Sequence, residues 1–316
     1  MAFEINITEE GNSKVITLKD TGNLTEAEVY SFGALLNGFS LQTDGKKVNV
    51  VDGFSSTEDA ANNITNGFKS AKLSPFVCRL EKGRYSFDGT DFKVEKFNLG
   101  EEAIHGLLFD TVFSVKESGA DDLKAFVTLE ADYNNKTQGF PFGYTMEVTY
   151  TLEKENKLTL TTKVQNTGST TMPLSDGWHP YFKLGETVND LEVEFNTDTM
   201  VEFDDRLLPS GKTLPDHRFE KKIAFNDTVL DNCFLLKGHH KAACILRDQK
   251  TGIQLSIFAG DTYPYLQVYT PPHRKSIAVE NLSSVPDAFN NGIGLLIAKP
   301  GEVYEFTTTY QLDLIK

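Results

Sequence analysis

The chain has 316 residues, 39% of them hydrophobic and 24% charged, and a formal net charge of −14. Nucleic acid and anionic membrane surfaces are bound by neutralising phosphates, so an acidic balance excludes both as expected partners and leaves a small neutral ligand. No apolar run approaches the ~20 residues that span a bilayer. The opening MAFEINITEEGNSK has neither the basic nor the apolar region of a secretion signal, so the expectation is a cytoplasmic protein.

In chain order, SKVITLKDTG and KKVNVVDG are the first β-like runs, alternating or β-branched and ended by turn residues. STEDAANNITNGFKS is the best helical candidate, with Ser56 as cap and Glu58 or Asp59 favouring the dipole. SPFVCRLEKGRYSFDG follows, with Arg79 opposite in phase to Phe76, Cys78 and Leu80, and with Asp88-Gly89 as a hairpin signal. In EEAIHGLLFD, His105 precedes a glycine inside an apolar run. YTMEVTYTL and KLTLTTKVQN, joined by EKEN, read as an antiparallel pair.

SDGWHPYFKLG sets His179 among aromatic residues and directly before Pro180. A residue before proline is pushed into extended backbone, and proline lacks the N–H that a central strand needs. WHPYF is therefore a strand end or edge on which His179 and Tyr181 share a face. A satisfied structural histidine and a functional one are equally consistent with that placement.

Further strands are expected in LEVEFNTDT, in KAACILRDQKTGIQLSIFAGDTYPYLQVYT and in YEFTTTYQL. In TVLDNCFLLKG, Asp231 heads a strand; in TYPYLQVYTPP, Gln267 faces the side shared by Tyr265 and Tyr269. In KSIAVENLSSVPDAFNNG, Glu280 alternates with Ile277 and Val279 and points away from their apolar face. A solvated strand-end glutamate and a functional carboxylate both fit.

Many strands, few helices and no Gly-rich phosphate loop indicate an all-β protein, a sandwich or barrel. No internal repeat or linker divides it, so one domain over residues 1–316 is expected. Cys78, Cys233 and Cys244 lack CxxC spacing and read as reduced, mostly buried thiols. His217, His239, His240 and His273 show no HxH or HExxH spacing, so no metal and no other cofactor is called for.

Taken in order, SPFVCRLEKGRYSFDG, IHGLLFD, FPFGYTMEVTYTL, VQNTGSTTMPLSDGWHPYFKLG, LDNCFLL, YLQVYTPP and VENLSSVPDAFN resemble the aldose 1-epimerase (galactose mutarotase) family. HPYFKL is the most specific piece, and the ordered co-occurrence of all seven is stronger than any one. The resemblance implies a large antiparallel β-sandwich of the galactose mutarotase supersandwich type with a sugar cleft on one concave sheet. It implies Glu280 as general base on the sugar C1 hydroxyl and His179 as general acid to the ring oxygen. Arg79, His105, Asp231 and Gln267 would hydrogen-bond the substrate. Trp178, Tyr181, Tyr265 and Tyr269 offer ring faces for the sugar's C–H surface.

Two departures stand beside the catalytic candidates: Asn281 where the family often has proline, and Trp178 where it often has asparagine. Both are expected to bear on which sugar fits. The resemblance leaves a hexose-6-phosphate 1-epimerase, drawing on Arg79, Lys82, Arg84 and Arg206 for the phosphate, and a non-catalytic carbohydrate-binding module as alternatives. A monosaccharide is the expected partner, and the chain is expected to be a monomer or homodimer.

Overall fold

A computed structural model describes residues 2–43, 45–134 and 139–315. Its frame is two large antiparallel sheets face to face, with a five-stranded meander over Phe3–Asn49 packed beside them. One large sheet has nine strands and is centred on Tyr144–Glu153, Lys157–Asn166, Val303–Leu314 and Ile253–Ala259. The other runs Pro209–Pro215, Thr197–Phe203, Asp231–Leu236, Tyr265–Tyr269, Ile277–Leu282, Gly177–His179 and Ala71–Leu73, with Tyr181–Phe182 also pairing the Ile277–Leu282 strand. The all-β antiparallel architecture expected from the strand pattern is the one observed.

Local chemistry explains most elements. Tyr144–Glu153 alternates buried and half-buried residues along its length, the period-2 pattern of a strand with one face on a core. Glu155 and Asn156 turn it into Lys157–Asn166 with left-handed backbone at φ 63° and 54°. Asp88 and Gly89, at φ 48° and 74°, make the tight hairpin between Arg84–Phe87 and Thr90–Lys93. Helix Thr57–Asn63 begins where the Ser56 hydroxyl accepts from the Asp59 amide at 3.0 Å, as the sequence suggested.

LEVEFNTDT is not one strand. Glu192–Phe195 belongs to the nine-stranded sheet and Thr197–Phe203 to the other, so the chain crosses between layers at Asn196. The later run KAACILRDQKTGIQLSIFAGDTYPYLQVYT crosses in the same way, with Ile253–Ala259 in the nine-stranded sheet and Tyr265–Tyr269 in the other. Periodicity reports that a residue run is extended; it carries no record of which sheet receives it.

The inter-sheet core is apolar but includes a buried polar cluster. Lys72 and Asp176, both fully buried, pair at 2.5 Å, and the Tyr263 hydroxyl donates to the same carboxylate oxygen at 2.6 Å. The Lys72 ammonium also lies 4.4 Å from the centre of the Trp178 ring. Burial pulls the Lys72 pKa down to about 8 and pushes Asp176 up, with their mutual attraction opposing both shifts. No helix among the described residues is long and apolar enough to cross a membrane.

Candidate active site

Strand register assembles the site. Cys233 pairs with Gln267, and Gln267 with Glu280. Counting two residues on from the Gly177–Leu282 pair sets His179 opposite Glu280, while His179 itself pairs with Ala71. Side chains opposite one another in a ladder share a face, so Gln267, Glu280 and His179 form one row. The next row is Asp231, Tyr269, Ala278 and Tyr181. Gly177 permits the close approach of these strands: a Cβ there would lie 2.5 Å from the Leu282 side chain.

Two loops close the end of the cleft. Arg79 sits in the short strand Arg79–Leu80, paired with Glu102–Ile104. His105 follows with left-handed backbone, φ 62°, and its amide donates to the Cys78 carbonyl at 2.8 Å. Such a conformation is costly for a residue with a Cβ and persists where surrounding contacts impose it. Gly106, at φ 75°, completes the turn; a Cβ there would stand 2.3 Å from the Ser74 carbonyl oxygen.

The resulting cleft has a volume of about 380 Å³, within the range of small-molecule sites. All six residues singled out in the sequence line it: Arg79, His105, His179, Asp231, Gln267 and Glu280. The solvated-glutamate reading fails, because Glu280 is only 2% exposed. The alternation that put Arg79 opposite Cys78 fails as well. Cys78 has left-handed backbone, φ 48°, which breaks the strand phase, and both side chains reach the cleft.

At the floor, His179 Nε2 lies 3.3 Å from Glu280 Oε1. The His105 and His179 rings meet edge to face with centres 4.9 Å apart, and the Tyr181 ring centre lies 5.0 Å from that of His179. The Gln267 amide donates to Asp231 at 2.8 Å. Of the buried side-chain polar atoms without a protein partner among the described residues, four belong to residues that line the cleft: Glu280 Oε2, Gln267 Oε1, His105 Nδ1 and His179 Nδ1. Buried polar groups are normally satisfied, so unsatisfied ones converging on a cleft mark a place where a polar ligand supplies the partners.

Burial dominates the electrostatics. It pushes the Glu280 carboxyl well above the usual carboxylate range, with Asp231 adding in the same direction. It pulls His179 down to about 4, and His105 well below its ordinary value, helped there by His179 and Arg79. Asp231 is raised by burial, against the pull of Arg79 and Gln267. A 3.3 Å contact also fits an ion pair between Glu280 and His179. Desolvation penalises both charges, however, and pushes each group towards its neutral form.

The expected aromatic walls are only partly right. Tyr181 and Tyr269 line the cleft, but Trp178 and Tyr265 do not. Trp178 alternates with His179 and so faces the inter-sheet core, where its indole N–H donates to the Thr162 hydroxyl at 3.2 Å. Asn281 likewise points away from the Glu280 face and donates to the Thr308 hydroxyl at 3.0 Å. Both departures from the family pattern therefore pack in the core and touch no cleft surface. The apolar wall that sequence reasoning missed comes from Phe68, Phe97, Leu99, Phe203 and Leu207. Short-range pattern gave no signal for them, because they come from three separate segments that meet only in the fold.

The basic residues considered for a phosphate do not converge. Among the described residues, Arg79 is the one arginine or lysine lining the cleft. Lys82 and Arg84 line a separate depression, and Arg206 is engaged by Glu81 at 2.8 Å. His217 bonds Glu220, and His239 bonds the Ala259 carbonyl, both away from the cleft residues.

Comparison with known proteins agrees with this architecture. A family model described as aldose 1-epimerase matches residues 14–311. An uncharacterized protein, YihR, of Escherichia coli strain K12 is 26% identical over 73% of this chain and 74% of its own. The galactose mutarotase of Homo sapiens is 24% identical over 96% of both chains. The solved structure of a galactose mutarotase-like protein of Clostridium acetobutylicum superposes with a TM-score of 0.87 at 20% identity, covering 99% of each chain.

Proposed function

The chain belongs to the aldose 1-epimerase family, and from that premise we propose that it interconverts the α and β anomers of a free, uncharged aldose. Glu280 is the base at the C1 hydroxyl and His179 the acid at the ring oxygen. The observation that carries this reading is the Glu280–His179 pair, 3.3 Å apart at the cleft floor with Glu280 Oε2 unpartnered.

The reaction needs one proton removed and one delivered. As Glu280 takes the O1 proton, the O1 electrons form the carbonyl and the C1–O5 bond breaks towards O5, which takes the proton held by His179. The open-chain aldehyde turns about C1–C2. On reclosure His179 recovers the O5 proton as O5 attacks the other face of C1, and Glu280 returns its proton to O1. The pair carries one proton at the start and at the end. In the free cleft that proton favours the carboxyl; a C1 hydroxyl donating to Glu280 gives the anion the hydrogen bond it lacks and shifts the proton towards His179. Each well-placed acid or base contributes ~10²–10⁴-fold.

Arg79, His105, Asp231 and Gln267 supply donors and acceptors for the remaining hydroxyls, and the apolar wall faces the sugar's C–H surface. A neutral sugar is favoured over a phosphate ester because Arg79 alone faces two acidic side chains, Asp231 and Glu280, in the cleft. A phosphate dianion is commonly held by several converging cations.

The test is NMR exchange spectroscopy of anomer interconversion with glucose, galactose, xylose and glucose 6-phosphate, and the Glu280→Gln protein as control. Faster exchange of neutral aldoses, lost in the variant, is the expected result. Acceleration confined to glucose 6-phosphate would assign the phosphate-ester reaction instead. Binding without acceleration would make the chain a carbohydrate-binding module.

A further inference from the structure

The hairpin joining Thr197–Phe203 to Pro209–Pro215 places Phe203 and Leu207 in the cleft wall, yet little of the sheet holds it there. Pro209–Pro215 is the outermost strand on its side, is exposed over most of its length, and pairs only with its neighbour across a register shift between Val201 and Phe203. Its tip is stiffened internally. Asp204 Oδ1 accepts from the Arg206 and Leu208 amides at 2.8 and 3.0 Å, and Leu207 has left-handed backbone at φ 60°.

The tip is tied to the opposite wall through Arg206. Its guanidinium donates to Glu81 at 2.8 Å and approaches Glu102 at 3.6 Å. Glu81 and Glu102 belong to the segments that carry Arg79 and His105 into the cleft. The Glu102 side chain is only 7% exposed, and its other oxygen accepts from the Lys82 amide at 2.5 Å. A nearly buried carboxylate requires a positive partner, and among the described residues Arg206 is the cation within 4 Å. The pull of Glu102 and Glu81 on Arg206 therefore acts across the mouth of the cleft.

We infer that Arg206 is a positioning residue for the sugar pocket: its ion pairs with Glu81 and Glu102 fasten the hairpin tip against the Arg79 wall and set Phe203 and Leu207 as the outer apolar surface that grips the substrate. The residue touches none of the reacting atoms, so it acts on affinity and leaves the Glu280–His179 chemistry alone. The part of this concerning turnover rests on the mutarotase reading.

The test uses Arg206→Gln and Arg206→Lys in the full chain, with two readouts. In anomer exchange, Arg206→Gln raises KM about three- to tenfold, as loss of a partly buried charge contact allows, and leaves kcat within about twofold. Arg206→Lys, which keeps the charge, recovers most of the wild-type KM. The second readout needs no substrate turnover. Cys78 lines the cleft while Cys233 and Cys244 are fully enclosed, so its alkylation by iodoacetamide, located by peptide mapping, reports how open the mouth is. Arg206→Gln should accelerate that labelling about threefold or more at unchanged melting temperature, with Arg206→Lys close to wild type. Unchanged labelling overturns the inference. So does a KM unaffected by Arg206→Gln, or a fall in kcat that tracks a fall in melting temperature. If the wild-type protein turns over no aldose, the function proposed above fails, and Cys78 labelling still decides the role of Arg206.

Discussion

Replacing Glu280 by glutamine tests the electrostatics of the site independently of its activity. In the folded protein burial raises this carboxyl well above 4.5, the value it has when exposed. Above pH 4.5 the unfolded chain has lost that proton while the folded chain still holds it. The folded state then binds the extra proton, and stability must fall as pH rises, by about 1.4 kcal/mol per pH unit for one group. That slope holds from the exposed value up to the raised value of the folded carboxyl. The amide in Glu280→Gln has the same shape, still donates towards His179 and does not titrate. His179 has the opposite sign: depressed to about 4, it contributes stability that is present above 6.5 and lost as pH falls towards 4. In the wild-type protein the two contributions offset between about 4.5 and 6.5. The measurement is urea unfolding of both proteins at pH 5.5, 6.5 and 7.5. The variant should gain on the wild type steadily with pH, while its anomer exchange is abolished at every pH. A stability difference independent of pH would refute the buried, proton-holding carboxyl.

His179→Asn should leave the fold intact and lower kcat by ~10²–10⁴-fold, because a neutral amide cannot deliver the proton to the ring oxygen; anomer exchange by NMR measures it. Arg79→Ala removes a charged donor from the cleft and should raise KM about tenfold or more, with a smaller effect on kcat; a substrate titration of the exchange rate separates the two. Lys72→Met should cost about 3–5 kcal/mol in urea unfolding because Asp176 is left buried without its counter-charge, and adding Asp176→Asn should return part of the loss.

Much of the fold was legible because its signals are short-range. The alternation of YTMEVTYTL, the Asp88-Gly89 turn and the Ser56 cap each act within a few residues, and each element formed as its local chemistry requires. The family motifs brought out six polar residues that line one cleft. Where local reasoning failed, a distant partner or an unusual backbone angle intervened. Cys78 broke the strand phase beside Arg79, and Trp178 and Asn281 turned out to serve the core behind the site.

The sequence by itself determined that the chain forms antiparallel β-structure, where its turns fall, and which side of the Ile277–Leu282 strand carries Glu280, since these depend on side-chain period and turn chemistry. Only the tertiary structure decided that Glu280 and His179 meet at 3.3 Å, that both are buried enough to favour their neutral forms, and that Phe68, Phe97, Phe203 and Leu207 wall the cleft. Strand register, sheet membership and desolvation come from residues far apart in the chain, and they exist only once those residues are packed together.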